Sequence, residues 1–591
     1  MKRSEQKLND TWDLSSLCID KNDFNTRYER LLKDLPTLGS FNKTLSLSSD
    51  NLYTALEFIK NFLKEAECIS SYAFLCFETD AGNSENAELA GKASILQAKI
   101  SEALSYLEPE ILSIDKAKLE EALAEPRFEE YRIFISKIIR FAPHTLSEKE
   151  ERLLSLNSEA AEAPSRAFHD LVDVDMDFGT VNGIKLTQSS YMSLIRNTDE
   201  AIRKEAYMKL HSTFTNFQHT IARLYEGSVN QDIFSSRARG YSSALSASLF
   251  ADNVPEEVYR NLIAQVHEGF PELHRYYALM AKVQKKDKLK HYDVYLPLVK
   301  NIECNYTYED AVALIKEAIA PLGKEYQEIL VKGLTEERWV DRYENDGKRS
   351  GAFSAGCYTG KPYILTNYKE DVIDSVFTLI HEGGHSMHSY YSAKSNPFMN
   401  YNYTIFEAEV ASTFNEQLLS RYLISNSKDD KMKAYLLSHE LSSLVATLFR
   451  QTMFAEYELL IHEAVERGEV ATAEFMRKTY RGLLESYFGP IMEFEDISDI
   501  ECMRIPHFYN AFYVYKYATG ISASIALADK VLNGNEADRN AYLSFLKSGG
   551  SKYPIESLKL GGVDMSKKES VEKAIKHFAK LLDELERIIE Y

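Results

Sequence analysis

The chain has 591 residues, with 69 Lys and Arg set against 89 Asp and Glu, a formal charge of −20. At 45% hydrophobic and 27% charged it is composed like a globular protein rather than a disordered one, and its length amounts to roughly three to four domains of chain. The acidic excess argues against nucleic acid and anionic membrane surfaces, which are held by Lys and Arg neutralising phosphate.

Six cysteines (Cys18, Cys68, Cys76, Cys304, Cys357 and Cys502) are scattered, none in a C-x-x-C pair. This argues against a disulfide framework and against a thiolate zinc cage. The first residues are basic but no apolar run follows them, and no stretch of 18 apolar residues occurs anywhere. A reduced, soluble, cytoplasmic protein without a membrane partner is expected.

Taken in chain order, residues 10–185 read as helical hairpins. Residues 174–192 alternate and contain glycine, which predicts a short β excursion. No proline occurs between Pro164 and Pro255, so long helices are expected there. Residues 339–367 read as a second β region. Gly351, Ala352, Ser354, Ala355 and Gly356 leave the backbone accessible there, and Tyr363, Ile364 and Leu365 form a strand pattern after Pro362. A small sheet beside the helices is predicted, whose backbone could pair with an extended peptide. Between Pro397 and Pro490 helices return, as in Leu436, Leu437, Leu441, Leu444, Val445 and Leu448. The run 566–589 has the same period.

The chemistry concentrates directly after the second β region. His381, Glu382, Gly383, Gly384 and His385 spell H-E-x-x-H. On a helix, residues four apart share a face, so both imidazoles can reach one Zn2+ at roughly 2.0–2.1 Å. Glu382 is carried beside the metal rather than onto it, where it can take a proton from water and later return it to a leaving amine. Val372, Val376, Leu379 and Ile380 predict that this helix is buried. Three other His-Glu pairs act as internal controls: four residues after His267, His439 and His462 stand Pro271, Ser443 and Glu466, so none can complete a pair of imidazoles. His388 is too far along the helix to be a ligand, and Cys357 reads as structural.

A catalytic zinc site needs a third protein ligand and a position open to water. The helical stretch with Phe406, Val410, Phe414, Leu418 and Leu419 offers Glu407, Glu409 and Glu416. Carboxylates are expensive to bury in so apolar a segment unless they are paired or bound to metal. Spacing alone does not choose among the three, although Glu407 and Glu409 point about 200° apart. Near the C-terminus an aromatic-dense segment carries His507, Tyr509, Tyr513, Tyr515 and Tyr517. Donors of this kind, aimed at a developing oxyanion, lower a hydrolytic barrier by roughly 3–4 kcal/mol.

The segments HEGGHSMHSYYS and TIFEAEVASTFNEQLL resemble the M3 family of zinc metallopeptidases, and within it oligoendopeptidase F. So do TWDLSSL, FAPHTLSEKEERLLS, DVYLPL, GAFSAG and IPHFYNAFYVYKYATG, so the likeness spans nearly the whole chain. The resemblance implies a mainly α, clam-like metallopeptidase fold with a deep substrate channel and a small β-sheet next to the zinc helix. Its implied parts are an N-terminal helical region over 1–115, a linking helical domain over 116–200 and a catalytic domain over 201–591. It implies one Zn2+ per chain held by His381, His385 and Glu409, with Glu382 catalytic. His507 is implied as an oxyanion donor, with Tyr513 and Tyr517, four apart, expected to share a helix face. The function implied is a cytoplasmic endopeptidase for short unfolded peptides. Two alternatives stand beside it, a metallo-carboxypeptidase or dipeptidyl carboxypeptidase using the same site, and a non-catalytic helical peptide-binding protein.

Overall fold

The first three helices begin where the sequence supplies a cap. Asp20, Ser48 and Asn83 accept hydrogen bonds from the N–H groups of Asp23, Asn51 and Glu85, and they open Lys21–Ser40, Ser49–Thr79 and Ser84–Ala103. A computed structural model shows them, describing residues 1–299, 302 and 304–589. The chain divides into two compact units, each assembled from three separate stretches.

The first unit comprises Met1–Ala142, Glu303–Tyr422 and Leu527–Val563. Its N-terminal helices pack as the expected hairpins, with Leu52, Leu56, Ile59 and Ile69 on the buried face of the second helix. Complete burial of each such side chain contributes roughly 1.5–3 kcal/mol. The predicted small sheet is present. Tyr363–Leu365 is its central strand, parallel to Val340–Asp341 and antiparallel to the edge strand Phe353–Ala355, with Ser354 opposite Ile364. Trp12 packs edge-on against Tyr363 at 6.0 Å, so the start of the chain closes one face of the sheet. Asp341, wholly buried in its strand, is neutralised by Lys348 at 2.7 Å and by Arg3.

Two helices of this unit carry the H-E-x-x-H motif and the acidic stretch that follows, Asp374–Ser395 and Ile405–Ser425. Val376, Leu379 and Ile380 are buried as predicted, while Val372 lies before the helix and is exposed. Glu536–Ser548 packs on the motif helix, with Phe545 5.2 Å from His388.

The second unit comprises Pro143–Ile302, Leu423–Ala526 and Asp564–Tyr591. The β excursion is a hairpin, Thr180–Val181 with Ile184–Lys185. Its turn is Asn182-Gly183, both at positive φ (49° and 76°), as a tight two-residue hairpin requires. Helices make up most of the rest. Asp430–Leu444 runs through a π turn, Val445–Arg450, into Gln451–Glu466, and the C-terminal helix is Glu569–Ile589. One parallel pair, Leu289–Lys290 with Met492–Glu493, has no counterpart in the sequence reading, because two residues are too few to show a period. No described helix is long and apolar enough to cross a membrane.

Candidate functional site

His381 and His385 face the same side of Asp374–Ser395, with ring centroids 4.8 Å apart and planes at 83°. Opposite them Ile405–Ser425 presents Glu409, whose Oε2 lies 3.7 Å from His381 Nε2. One donor atom from each of His381, His385 and Glu409 lies within 4.8 Å of the other two. Among the described residues this is the grouping of His, Cys, Asp and Glu that could hold a metal ion. Two imidazoles and one carboxylate suit a zinc site that keeps a position for water.

The glycines of the motif explain how the helices come so close. A Cβ on Gly384 would stand 2.6 Å from the Ala411 carbonyl oxygen and 2.7 Å from Ser412 Cα. The backbones therefore touch one residue before His385 and two residues after Glu409, which brings ligand-bearing side chains from separate helices within reach of one centre.

The surroundings separate the three glutamates that spacing left open. Glu416, seven residues beyond Glu409 and so on the same face, hydrogen-bonds His381 Nδ1. Glu407 is buried and accepts from the Thr404 N–H at 3.2 Å, in the first turn of its own helix. Burial raises its carboxyl to about 7. The contact of Glu416 escaped the sequence reading, although the seven-residue repeat was its signal.

Electrostatics distinguish the two histidines. Burial alone would lower the His381 imidazole, but the hydrogen bond and charge of Glu416, then the charges of Glu382 and Glu409, hold it up at about 9. Burial takes His385 down to about 3, so its ring is neutral with a lone pair available. Burial, reinforced by the charges of Glu409 and Glu416, raises Glu382 to about 7 against the pull of His381. A hydrogen bond between Glu382 and the Ser354 backbone ties this carboxylate to the edge strand. Ser354 and Ser386 make a second tie, with their hydroxyl oxygens 2.9 Å apart.

His388 is buried with neither ring nitrogen hydrogen-bonded, and it stacks on Tyr403 at 3.6 Å. Tyr403 in turn donates to the His385 carbonyl at 3.3 Å. Cys357 is buried and free. The control pairs lie in ordinary packed settings. His267 contacts Glu456 at 2.7 Å, and His462 contacts Asp232 at 3.2 Å.

His507, Tyr513 and Tyr517 belong to the second unit and cluster there, with Tyr517 6.2 Å from His507 and 5.5 Å from Tyr513 by ring centroid. The helix of this segment begins at Tyr515, so Tyr513 precedes it instead of lying on its face. His507 is exposed and the tyrosines are half-buried.

A fold of helices around a pair of H-E-x-x-H imidazoles defines a metallopeptidase class, and the comparisons with known proteins agree. Residues 193–577 match peptidase family M3, and residues 110–178 match the oligopeptidase F description. The chain belongs to peptidase family M3 and is a metalloendopeptidase that hydrolyses internal bonds of oligopeptides. It is 41% identical over 588 residues to the oligoendopeptidase F homolog of Borreliella burgdorferi, covering 100% of both chains. It is also 41% identical to oligopeptidase PepF of Bacillus subtilis, covering 99% of this chain and 88% of that one. A solved structure from Chlamydophila abortus superposes with a TM-score of 0.94 at 36% identity, over 99% of both chains.

Proposed function

We propose that His381, His385 and Glu409 hold one Zn2+ and that Glu382 moves the proton in peptide hydrolysis. The observation carrying this reading is the convergence of three donor atoms within 4.8 Å from two helices, with a second carboxyl, Glu382, outside the donor set but close enough to feel the charges of His381 and Glu409. When bound, the ion supplies Lewis acidity, which polarises a peptide carbonyl and makes water acidic near neutral pH. Glu416 holds His381 Nδ1, leaving Nε2 as the ligating atom and fixing the ring's direction. To serve as a ligand His381 would be held as the neutral ring, with Nδ1 kept on Glu416 and Nε2 offering its lone pair.

Glu382 sits in a buried setting that leaves its acid and carboxylate forms both accessible near neutral pH, and a bound cation shifts the balance toward carboxylate. As carboxylate it accepts the proton of the attacking water, and as acid it returns that proton to the leaving amine. By the family resemblance alone, His507, Tyr513 and Tyr517 are taken as donors to the oxyanion that forms at the carbonyl. Partial desolvation by its neighbours lowers the His507 imidazole, which favours the neutral ring, and that ring still carries one N–H to donate. No covalent acyl-enzyme is needed, so serine and cysteine reagents leave the reaction intact. The edge strand Phe353–Ala355, tied to Glu382 through Ser354, is suited to pair with an extended substrate backbone, which recognises short unfolded peptides with little regard to side chain.

The test combines metal analysis with an internally quenched peptide blocked at both ends. Native protein is expected to contain one zinc per chain, to lose activity to a chelator and to regain it with zinc. Glu382→Gln is expected to lower kcat by roughly three decades or more with zinc retained. Unchanged turnover in that variant overturns the mechanism, and failure to cut a blocked peptide favours the carboxypeptidase reading.

A further inference from the structure

The segment carrying His507, Tyr513 and Tyr517 is held by an unusual group. Pro506–Tyr509 form one 3-10 turn and the next helix starts at Tyr515. Between them Phe512 has φ 58°, in the left-handed region that bulky side chains avoid. Such a conformation persists only where neighbours impose it.

Two sets of neighbours are present. Phe512 packs on His462 at 4.5 Å and on Tyr259 at 5.7 Å, while Phe508 packs on Tyr457 at 5.0 Å. In addition the Phe512 N–H donates to Glu458 Oε1 at 3.0 Å. Glu458 is fully buried on Gln451–Glu466, and its other oxygen has no hydrogen-bond partner among the described residues. It makes no ion pair among the described residues. Burial and the charge of Asp232 push its carboxyl well above the ordinary range, which favours the protonated form. A leucine or methionine would fill that space without the penalty of an unpaired polar atom, and the hydrogen bond the carboxyl provides to its surroundings is the one to Phe512.

The turn has consequences for what lies on either side. Phe508 and Phe512 point inward, whereas His507 is exposed and Tyr513 and Tyr517 are half-buried. Where Tyr513 stands relative to His507 is therefore decided by the backbone at residue 512. We infer that Glu458 is a positioning residue: through the Phe512 N–H it fixes the left-handed turn that gathers His507, Tyr513 and Tyr517, and so it acts on hydrolysis without touching substrate. The inference rests on the assignment of those three residues as oxyanion donors.

The test uses the zinc-loaded full chain and the blocked quenched peptide, reading kcat, KM and zinc content. Glu458→Asp, which withdraws the oxygen by one methylene, and Glu458→Leu are both expected to lower kcat roughly tenfold or more. KM and zinc content should stay near native. Glu458→Gln keeps a neutral acceptor at the same reach and is expected to restore most of kcat. With His507 already replaced by Ala, Glu458→Asp should add little further loss, because both act through the same donor group. Should Glu458→Leu fail to fold, the Asp and Gln variants decide the matter. Native kcat in Glu458→Asp, or a loss that multiplies in full with that of His507→Ala, overturns the inference while leaving the donor assignment standing. If His507→Ala, Tyr513→Phe and Tyr517→Phe all leave kcat unchanged, the donor assignment falls, and the role of Glu458 falls with it.

Discussion

Glu382, buried, and Glu416, half-buried, both adjoin His381 yet are set to different tasks by what they face. Among the described residues no cation hydrogen-bonds Glu382, whereas Glu416 is engaged by the His381 ring. Removing the second carboxyl should therefore damage metal binding more than chemistry. Glu416→Ala is expected to weaken apparent zinc affinity by roughly 10–100-fold, with kcat of the zinc-saturated enzyme far less affected. Chelator-competition titration measures this, and native affinity in the variant would show that His381 needs no such support. The motif histidines were legible in the sequence because a four-residue spacing is a property of the helix alone. The choice among Glu407, Glu409 and Glu416 was not, because it depends on how one helix is rotated against another.

At the scale of elements, the site exists because two helices meet backbone to backbone. Gly383 and Gly384 look equivalent in sequence but face different neighbours. A Cβ at Gly384 strikes the backbone of Ala411 and Ser412, while one at Gly383 comes 3.3 Å from the flexible end of Leu330. Gly384→Ala is expected to force the helices apart, costing about 1–3 kcal/mol of stability and most of the zinc affinity. Gly383→Ala should be near neutral, since alanine's better helix propensity, about 1 kcal/mol, offsets a small side-chain shift. Thermal denaturation and zinc titration of the pair check this, and equal effects would mean that helix propensity, not contact, governs the motif. Elements with a local signature of their own were readable, among them the Tyr363–Leu365 strand, a β excursion within 174–192 and the amphipathic helices, although the hairpin form of that excursion was not. The turn at Phe512 was not, because nothing local favours a left-handed phenylalanine, and its cause, Glu458, lies 54 positions earlier in the chain.

At the scale of the whole molecule, buried ionisable groups make stability sensitive to acid. His211 and His291 are fully buried, and burial lowers them to about 3 and about 4. In the unfolded chain a histidine takes its proton near 6.5. At these two sites the unfolded state therefore binds more protons as pH falls from about 6.5 toward 4, and their contribution to folding stability is lost across that window. For two such residues the loss is on the order of several kcal/mol. Burial alone would raise Glu501, but Arg450 and its other cationic neighbours hold it well below the carboxylate range, so it adds a further loss at still lower pH. Glu382 and Glu407, raised to about 7, take up protons in the folded state over the same range as the histidines and oppose that loss, so the rings are read by difference: in metal-free protein His291→Phe should reduce the drop in melting temperature from pH 7 to pH 5 relative to native, and an unchanged difference would place that ring in contact with water. The interleaving of each unit from three stretches bears on synthesis. A ribosome delivers His381 and His385 about 160 residues before Phe545, whose helix packs against theirs. At roughly 5–20 residues per second, the nascent histidines wait many seconds for that partner. The packing around the motif helix is thus completed only when the polypeptide is nearly finished, and neither unit can be harvested by cutting the gene at a single pair of positions.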